Sequence, residues 1–484
     1  MKKSTGVVAL VVALAAVYGG STWYMGQKTE ELVRQKVAEF NTASAEKLAQ
    51  SGIDGTVTMN VVEYKRGVFS SDARYTVTLA SNDKQDEPLE LTFDDKISHG
   101  PLPLSALKLG NFTPVAALTH STLVKTKDTE GWFKLTGDKT PLWADSLVGF
   151  DGAVDSTAHF EAIKHQGDTV KVEFSGGQLR AKAGGKSDDI LVSGNFPNLL
   201  VDDIGEDPLK LQAANFAVDF KQTGDINVNG TQTGKISVDD IQFQTPESEG
   251  LKLKQILLDT DGVTKDSVGN AKVRYVFTDM VFEDKLNLGS VELAMNMDSV
   301  YMPAITAVSK LVSDPGFQDR IDSEDPQTAK LLLEQVLVAL ERKPVLSIEP
   351  LRWYNEQGET KATLRVDLQK PAATLQELED SPQLWLQAIP SAQLNLLVSK
   401  PMLRGVANQL DKAEGVSPEE GTTAMLDMML EAAVQPYVES KLLKQDDNSI
   451  STEVKYLGAD QGFDINGQHF TTDDLMGLVL MSMM

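Results

Sequence analysis

Between Gly55 and about Met297 the dominant period of the apolar residues is two, and this period limits the possible folds more than any other feature of the chain. Val57, Met59 and Val61 alternate with Thr56, Thr58 and Asn60, and Tyr75, Val77 and Leu79 alternate with Thr76 and Thr78. Successive side chains of a strand point to opposite faces, so period two marks strands with one apolar and one polar face. The signature returns at Val170-Val172-Phe174, Phe216-Val218-Phe220, Val273-Tyr275-Phe277 and Val291-Leu293-Met295. Turn formers separate these runs: Arg66-Gly67, Gly176-Gly177, Gly184-Gly185, Asn229-Gly230 and Asp261-Gly262. No long helical pattern intervenes, so the strands are expected to pair antiparallel. The expected fold is mainly β, a large, curved antiparallel sheet or an open sandwich.

After Val300 the texture becomes α+β. Residues 302–313 and 326–342 have helical spacing, the second carrying Leu331, Leu332, Gln335, Val338 and Leu340 ahead of Arg342-Lys343. A hairpin follows, with strands at Pro344–Tyr354 and Lys361–Leu368 joined by Asn355-Glu356-Gln357-Gly358. Residues 392–399 read as a third strand, 400–413 and 421–444 as helices, and Ser449–Ile465 as a last hairpin. Thr471-Thr472-Asp473 caps a closing apolar segment, Leu475 to Met484, too short to span a bilayer and expected to dock on the core.

The amino terminus places the chain. Met1-Lys2-Lys3 leads into the apolar run 5–25, which includes Val7, Val8, Leu10, Val12, Leu14 and Val17 and closes with Trp23 and Tyr24. At ~1.5 Å per residue, about 20 such residues cross the ~30 Å hydrocarbon core as one helix. Flanking lysines stay in the cytoplasm and aromatics sit at the far interface. Ala13-Leu14-Ala15 offers a cleavage site, but cutting there leaves an apolar core of only Val7–Val12, so an uncleaved anchor is the expectation. Residues 1–4 are then the cytoplasmic end, 5–25 a transmembrane signal anchor of the inner membrane, 26–50 a helical stalk or equally an amphipathic helix packed on the body, 51–300 a β-rich domain and 301–484 an α+β domain, the bulk of the chain being periplasmic.

The net charge of −25 is spread along the chain, which disfavours nucleic acid and anionic lipid headgroups as partners. There are no cysteines, so thiolate nucleophiles, disulfides and zinc-cysteine sites are excluded. His159, Glu161 and His165 would share a face on one continuous strand, but they lack metal-site spacing and are read as ordinary strand positions. His99 stands before Gly100-Pro101 as a loop residue. Gly185-Lys186-Ser187 lacks the upstream glycine of a phosphate loop, position 180 being Arg180. Asp259-Thr260-Asp261-Gly262 lacks the later ligands of a calcium loop and is read as a surface turn. No catalytic, cofactor-binding or metal residue is assigned.

Arg66-Gly67-Val68-Phe69-Ser70-Ser71, His99-Gly100-Pro101-Leu102-Pro103-Leu104, Ser175-Gly176-Gly177, Pro344 through Glu359 and Ile465-Asn466-Gly467-Gln468, taken in order with the anchor, resemble the YdgA-like family of Gram-negative bacteria, a domain of unknown function. The resemblance implies an inner-membrane-anchored periplasmic protein that self-associates, and it carries over no catalytic residue. Arg66-Gly67 fits a turn between strands 56–64 and 73–79, and Trp353 fits a core anchor, so these motifs also serve the fold. The expected function is a non-enzymatic tethered scaffold that binds an envelope partner. The alternative is a carrier of lipid or another apolar ligand in a sheet-lined groove. A cell-wall or sugar hydrolase using Trp132, Trp143, Trp353 or Trp385 for stacking is the third reading. Unpaired sheet edges favour a homodimer.

Overall fold

A computed structural model describes residues 37–38, 41, 55–67, 70–80, 87–99, 114–185, 189–205, 208–245, 248–282, 285–312, 316–323, 325–471 and 474. The anchor residues Val7, Val8, Leu10, Val12, Leu14, Val17, Trp23 and Tyr24, almost all of the stalk, the His99–Leu104 motif beyond its histidine, Lys186-Ser187 and the closing segment lie outside them. Among the described residues no helix is long and apolar enough to cross a membrane.

Two compact units divide the chain. The first holds the described part of Met1–Glu206 with Gln212–Asp225 and Ser309–Gln318; the second holds Asp207–Leu211, Ile226–Val308 and Asp319–Met484. The change of texture at Val300 therefore falls inside the second unit.

The first unit is built on β1 (Thr56–Arg66), β2 (Ser70–Ala80), β3 (Leu89–His99), β4 (Ala117–Leu123), β5 (Leu142–Val148), β6 (Val154–Phe160), β7 (Ile163–Gln166), β8 (Val170–Phe174), β9 (Gly177–Ala183) and β10 (Ile190–Asp203), with one short helix, α1 (Glu130–Leu135). Strand β11 (Leu209–Asp225) contributes its later part. Pairing runs β1-β2-β3-β4-β5-β6-β9-β10-β8-β7, antiparallel at every step. The period-two residues point inward as expected: Val57, Met59, Tyr75, Val77, Leu91, Phe93, Leu142 and Leu179 form one core cluster. Gly67 closes the β1–β2 turn with its N–H on the Ser70 carbonyl, 2.8 Å away, where the sequence placed a turn.

In the second unit, β12 (Asn229–Thr245), β13 (Ser248–Lys265), β14 (Val268–Phe282) and β15 (Leu286–Tyr301) are long hairpin partners. Helices α2 (Met302–Val312), α3 (Phe317–Asp322) and α4 (Pro326–Leu340) follow, the last capped by Asp325, whose carboxylate accepts from the Gln327 and Thr328 amides. Then come β16 (Val345–Asn355), β17 (Gly358–Asp367), α5 (Leu375–Asp380), β18 (Ser391–Ser399), α6 (Lys400–Glu414), α7 (Thr422–Glu439) and the short strands β19 (Lys444–Gln445), β20 (Ser449–Tyr456), β21 (Phe463–Ile465) and β22 (Gln468–Phe470). These strands pair in the order β12-β13-β14-β15-β16-β17-β18-β20-β21-β22, again antiparallel, with β19 also on β20. The hairpin around Asn355–Gly358 and the strands and helices expected between Val300 and Ile465 are present, and α5, with its Thr374–Glu377 capping box, is an addition.

Three local expectations change. Asp261-Gly262 is not a turn: Gly262 lies mid-strand, opposite Gln232 on β12 and Ala271 on β14. The turn falls instead at Asp266-Ser267, both left-handed at φ 51° and 62°, as a tight two-residue hairpin demands. Helix α7 stops at Glu439, not 444, because Leu442 and Leu443 fold their N–H groups back onto the Tyr437 carbonyl, with Lys441 left-handed between. His159 and His165 stand on separate strands, β6 and β7, so no continuous strand aligns them with Glu161.

Candidate functional site

Two surfaces of different chemistry are candidates, one in each unit. In the first, strand register stacks side chains into rows across the sheet, since residues directly opposite in an antiparallel pair share a face. One row reads Lys96, His120, Asp145, Thr157, Arg180, Ser193. His120 Nδ1 lies 2.8 Å from Asp145 Oδ1, and His159 Nε2, its ring stacked on Trp143, lies 3.7 Å from Asp145 Oδ2. Arg180 makes a two-pronged contact to Asp155 at 2.8 and 2.6 Å. The hydrogen bond to Asp145, then its charge and that of Asp95, hold the His120 imidazolium above its ordinary range, with burial opposing.

Asp145, Asp155, Thr157, Arg180 and Ser193 border an open concavity of about 700 Å³, floored by Leu118 and Leu147 and walled by Gln178, Asn195 and Asp219. It offers amides, hydroxyls and paired charges on the wet side of the sheet, a surface suited to hydrogen-bonded recognition. Behind it, on the buried face, Asp95 is 4% exposed and accepts from Ser121 Oγ at 2.9 Å. Burial pushes the Asp95 carboxyl up to about 6 against the pull of Ser121 and His120. Tyr75 Oη and Thr119 Oγ1, also buried, find no hydrogen-bond partner among the described residues.

The second unit presents the other chemistry. One register row runs Ile236, Leu258, Tyr275, Leu293, Leu351, Ala362, Leu396, and the next Thr260, Val273, Met295, Ile348, Leu364, Leu394, Val454. A third adds Gly262, Ala271, Met297, Leu346 and Val366. No residue of these rows is charged, and none is buried. Leu351 is 46% exposed, Met297 43%, Leu346 40% and Ile236 39%, so among the described residues no second layer covers this face. The opposite face holds the ions: Glu292 accepts from Arg274 Nε and Arg352 Nη2, both at 2.6 Å, and Arg352 lies over the Tyr354 ring. At ~4.8 Å per strand, the eight strands from β12 to β20 carry the apolar rows over roughly 34 Å. Exposed apolar surface on that scale marks an interaction site.

The tryptophans considered for sugar stacking are dispersed. Trp132 packs on the first unit's core, Trp143 lies against His159, and Trp353 donates its indole N–H to the Leu288 carbonyl in the second unit. Sequence reasoning missed the His120–Asp145 and Arg180–Asp155 pairs because register alone brings them together. It also missed that the described residues leave the second unit's apolar face open, for which the period-two pattern was a signal of location but not of coverage.

The family described as bacterial protein of unknown function (DUF945) matches residues 1–473. Protein YdgA of Escherichia coli (strain K12) is 25% identical over 498 residues, covering 99% of this chain and 97% of that protein. The uncharacterized protein YihF of the same organism is 24% identical over 506 residues, covering 98% of each. An uncharacterized protein of Haemophilus influenzae is 26% identical over 176 residues, 36% of this chain and 46% of its own length. No solved structure matches.

Proposed function

The chain belongs to the DUF945 family, whose description assigns no chemistry, and we propose that it is a non-enzymatic, membrane-tethered carrier that holds an apolar ligand, the acyl chains of a lipid, on the open sheet face of its second unit. The observation that carries this reading is the run of uncharged rows from Ile236 to Val454, left uncovered by the described residues, on a sheet whose opposite face carries the ions. Each methylene taken from water onto such a face is worth about 0.8 kcal/mol. Tethering itself rests on residues 5–25, whose length and aromatic end suit an inner-membrane anchor with the remainder in the periplasm.

Native mass spectrometry of the full chain, released from an amphipathic polymer in the spectrometer, tests the carrier. Adducts of lipid mass that vanish in Leu351→Glu while the fold is kept support it. A chain that carries no lipid and takes up none of the fluorescent 18-carbon acid cis-parinaric acid overturns it.

A further inference from the structure

At one end of the apolar face, the sheet is hollow. Helix α2 crosses there, and Met302 Sδ would lie only 2.7 Å from a Cβ placed on Gly269. One row further on, at Gly262, a Cβ would meet no clash: the nearest atoms to it lie at an ordinary contact distance of 3.9 Å, on Gln232 and Asn270. Between them lies a cavity of about 280 Å³, bounded by Val273, Met297, Val300, Met302 and Ile305. That is near the ~300 Å³ lower end of small-ligand sites.

Its composition narrows the occupant. The floor is Gly262 and Ala271; Ile226, Val273, Met297, Val300, Met302 and Ile305 give most of the wall with Gln232, Thr260 and Thr264 at its edge, and the methionines can adapt to a chain with no fixed shape. Gly262 is not left-handed, so its missing side chain answers no backbone need. Its neighbours along the row, Ala271 and Met297, belong to the apolar face, so a chain lying on that face can continue into the cavity.

We infer that the cavity beneath α2, opened by Gly262, receives the methyl end of one acyl chain and so sets the chain length this protein prefers. This rests on the carrier reading and adds to it a measuring site.

The test uses fatty acids of 8, 12, 16 and 18 carbons displacing cis-parinaric acid from the full chain in amphipathic polymer. Gly262→Leu fills the cavity without backbone strain. It is expected to weaken the 16- and 18-carbon acids at least tenfold and leave the 8-carbon acid within twofold. Equal weakening at every length, or none, overturns the inference. Because the chain has no cysteine, Gly262→Cys gives a second readout independent of whether the leucine variant folds. Hexadecanoate should slow its modification by a thiol reagent at least tenfold, but leave unchanged that of Phe150→Cys, at a position that is 55% exposed in the first unit and does not line the cavity. Equal rates with and without the acid at both positions overturn the measuring site. If wild type binds no acid of any length, the carrier reading itself fails; if wild type binds and the Gly262 variants behave like it, only the cavity's role does.

Discussion

Asp95→Asn is expected to stabilise the first unit at neutral pH, although it removes a hydrogen-bonded carboxylate. Asp95 is 4% exposed, and its carboxyl is raised from 3.8 to about 6, chiefly by burial. The folded state therefore holds this proton more tightly than the unfolded chain does. Its contribution is fully present below pH 3.8, falls as pH rises through about 6, and is constant above that. A rise of about two units at 1.36 kcal/mol each makes the ionised form about 3 kcal/mol costlier in the fold than in the unfolded chain. Asparagine keeps the shape and still accepts from Ser121 through its carbonyl oxygen, but cannot ionise. The variant should then match wild type near pH 4 and exceed it by about 1–3 kcal/mol at pH 7.5, the lower figure allowing for water reaching the charged form. Hydrogen exchange of β3 and β4 peptides at a series of pH values reads this locally, which matters because the two units need not open together. Subtracting wild type from variant at each pH cancels the chain's other carboxylates. A variant less stable than wild type at pH 7.5, or a difference constant from pH 4 to 8, would refute the argument.

Leu351→Glu, at a position 46% exposed, should change stability by less than about 0.5 kcal/mol yet abolish lipid uptake, checked by urea unfolding beside parinaric acid titration. Glu292→Gln weakens the contacts to Arg274 and Arg352 and should cost about 2 kcal/mol, less than a fully buried pair because both arginines are about a third exposed. Burial opposes ionisation of Glu292, but the two guanidinium groups outweigh it and depress its carboxyl, so the stability it adds is present above about pH 4.5 and lost as pH falls through the depressed value. An acid-unfolding profile unchanged by Glu292→Gln would contradict this. Asp145→Asn removes the main support of the His120 imidazolium, so the His120 ring should titrate lower than in wild type by proton NMR. The stability that this pair adds is present below pH 6.5 and fades as pH rises through the elevated His120 value, and it should fade less in the variant.

The residues themselves determined that this is a β-rich chain with antiparallel strands, a Gly67 turn, an Asn355–Gly358 hairpin and helices between later strands. All of these follow from interactions within a few positions: side-chain alternation, left-handed turn residues and caps. Only the tertiary structure decided that Gly262 stands in mid-strand, that His120 meets Asp145 and Arg180 meets Asp155, and that Asp95 is buried behind them. It alone decided that, among the described residues, nothing covers the rows from Ile236 to Val454. Period two says that a face is apolar. Whether that face becomes a core or a binding surface depends on what packs over it, and packing depends on strand register and on helices supplied by segments a hundred or more residues away, to which a local pattern is blind.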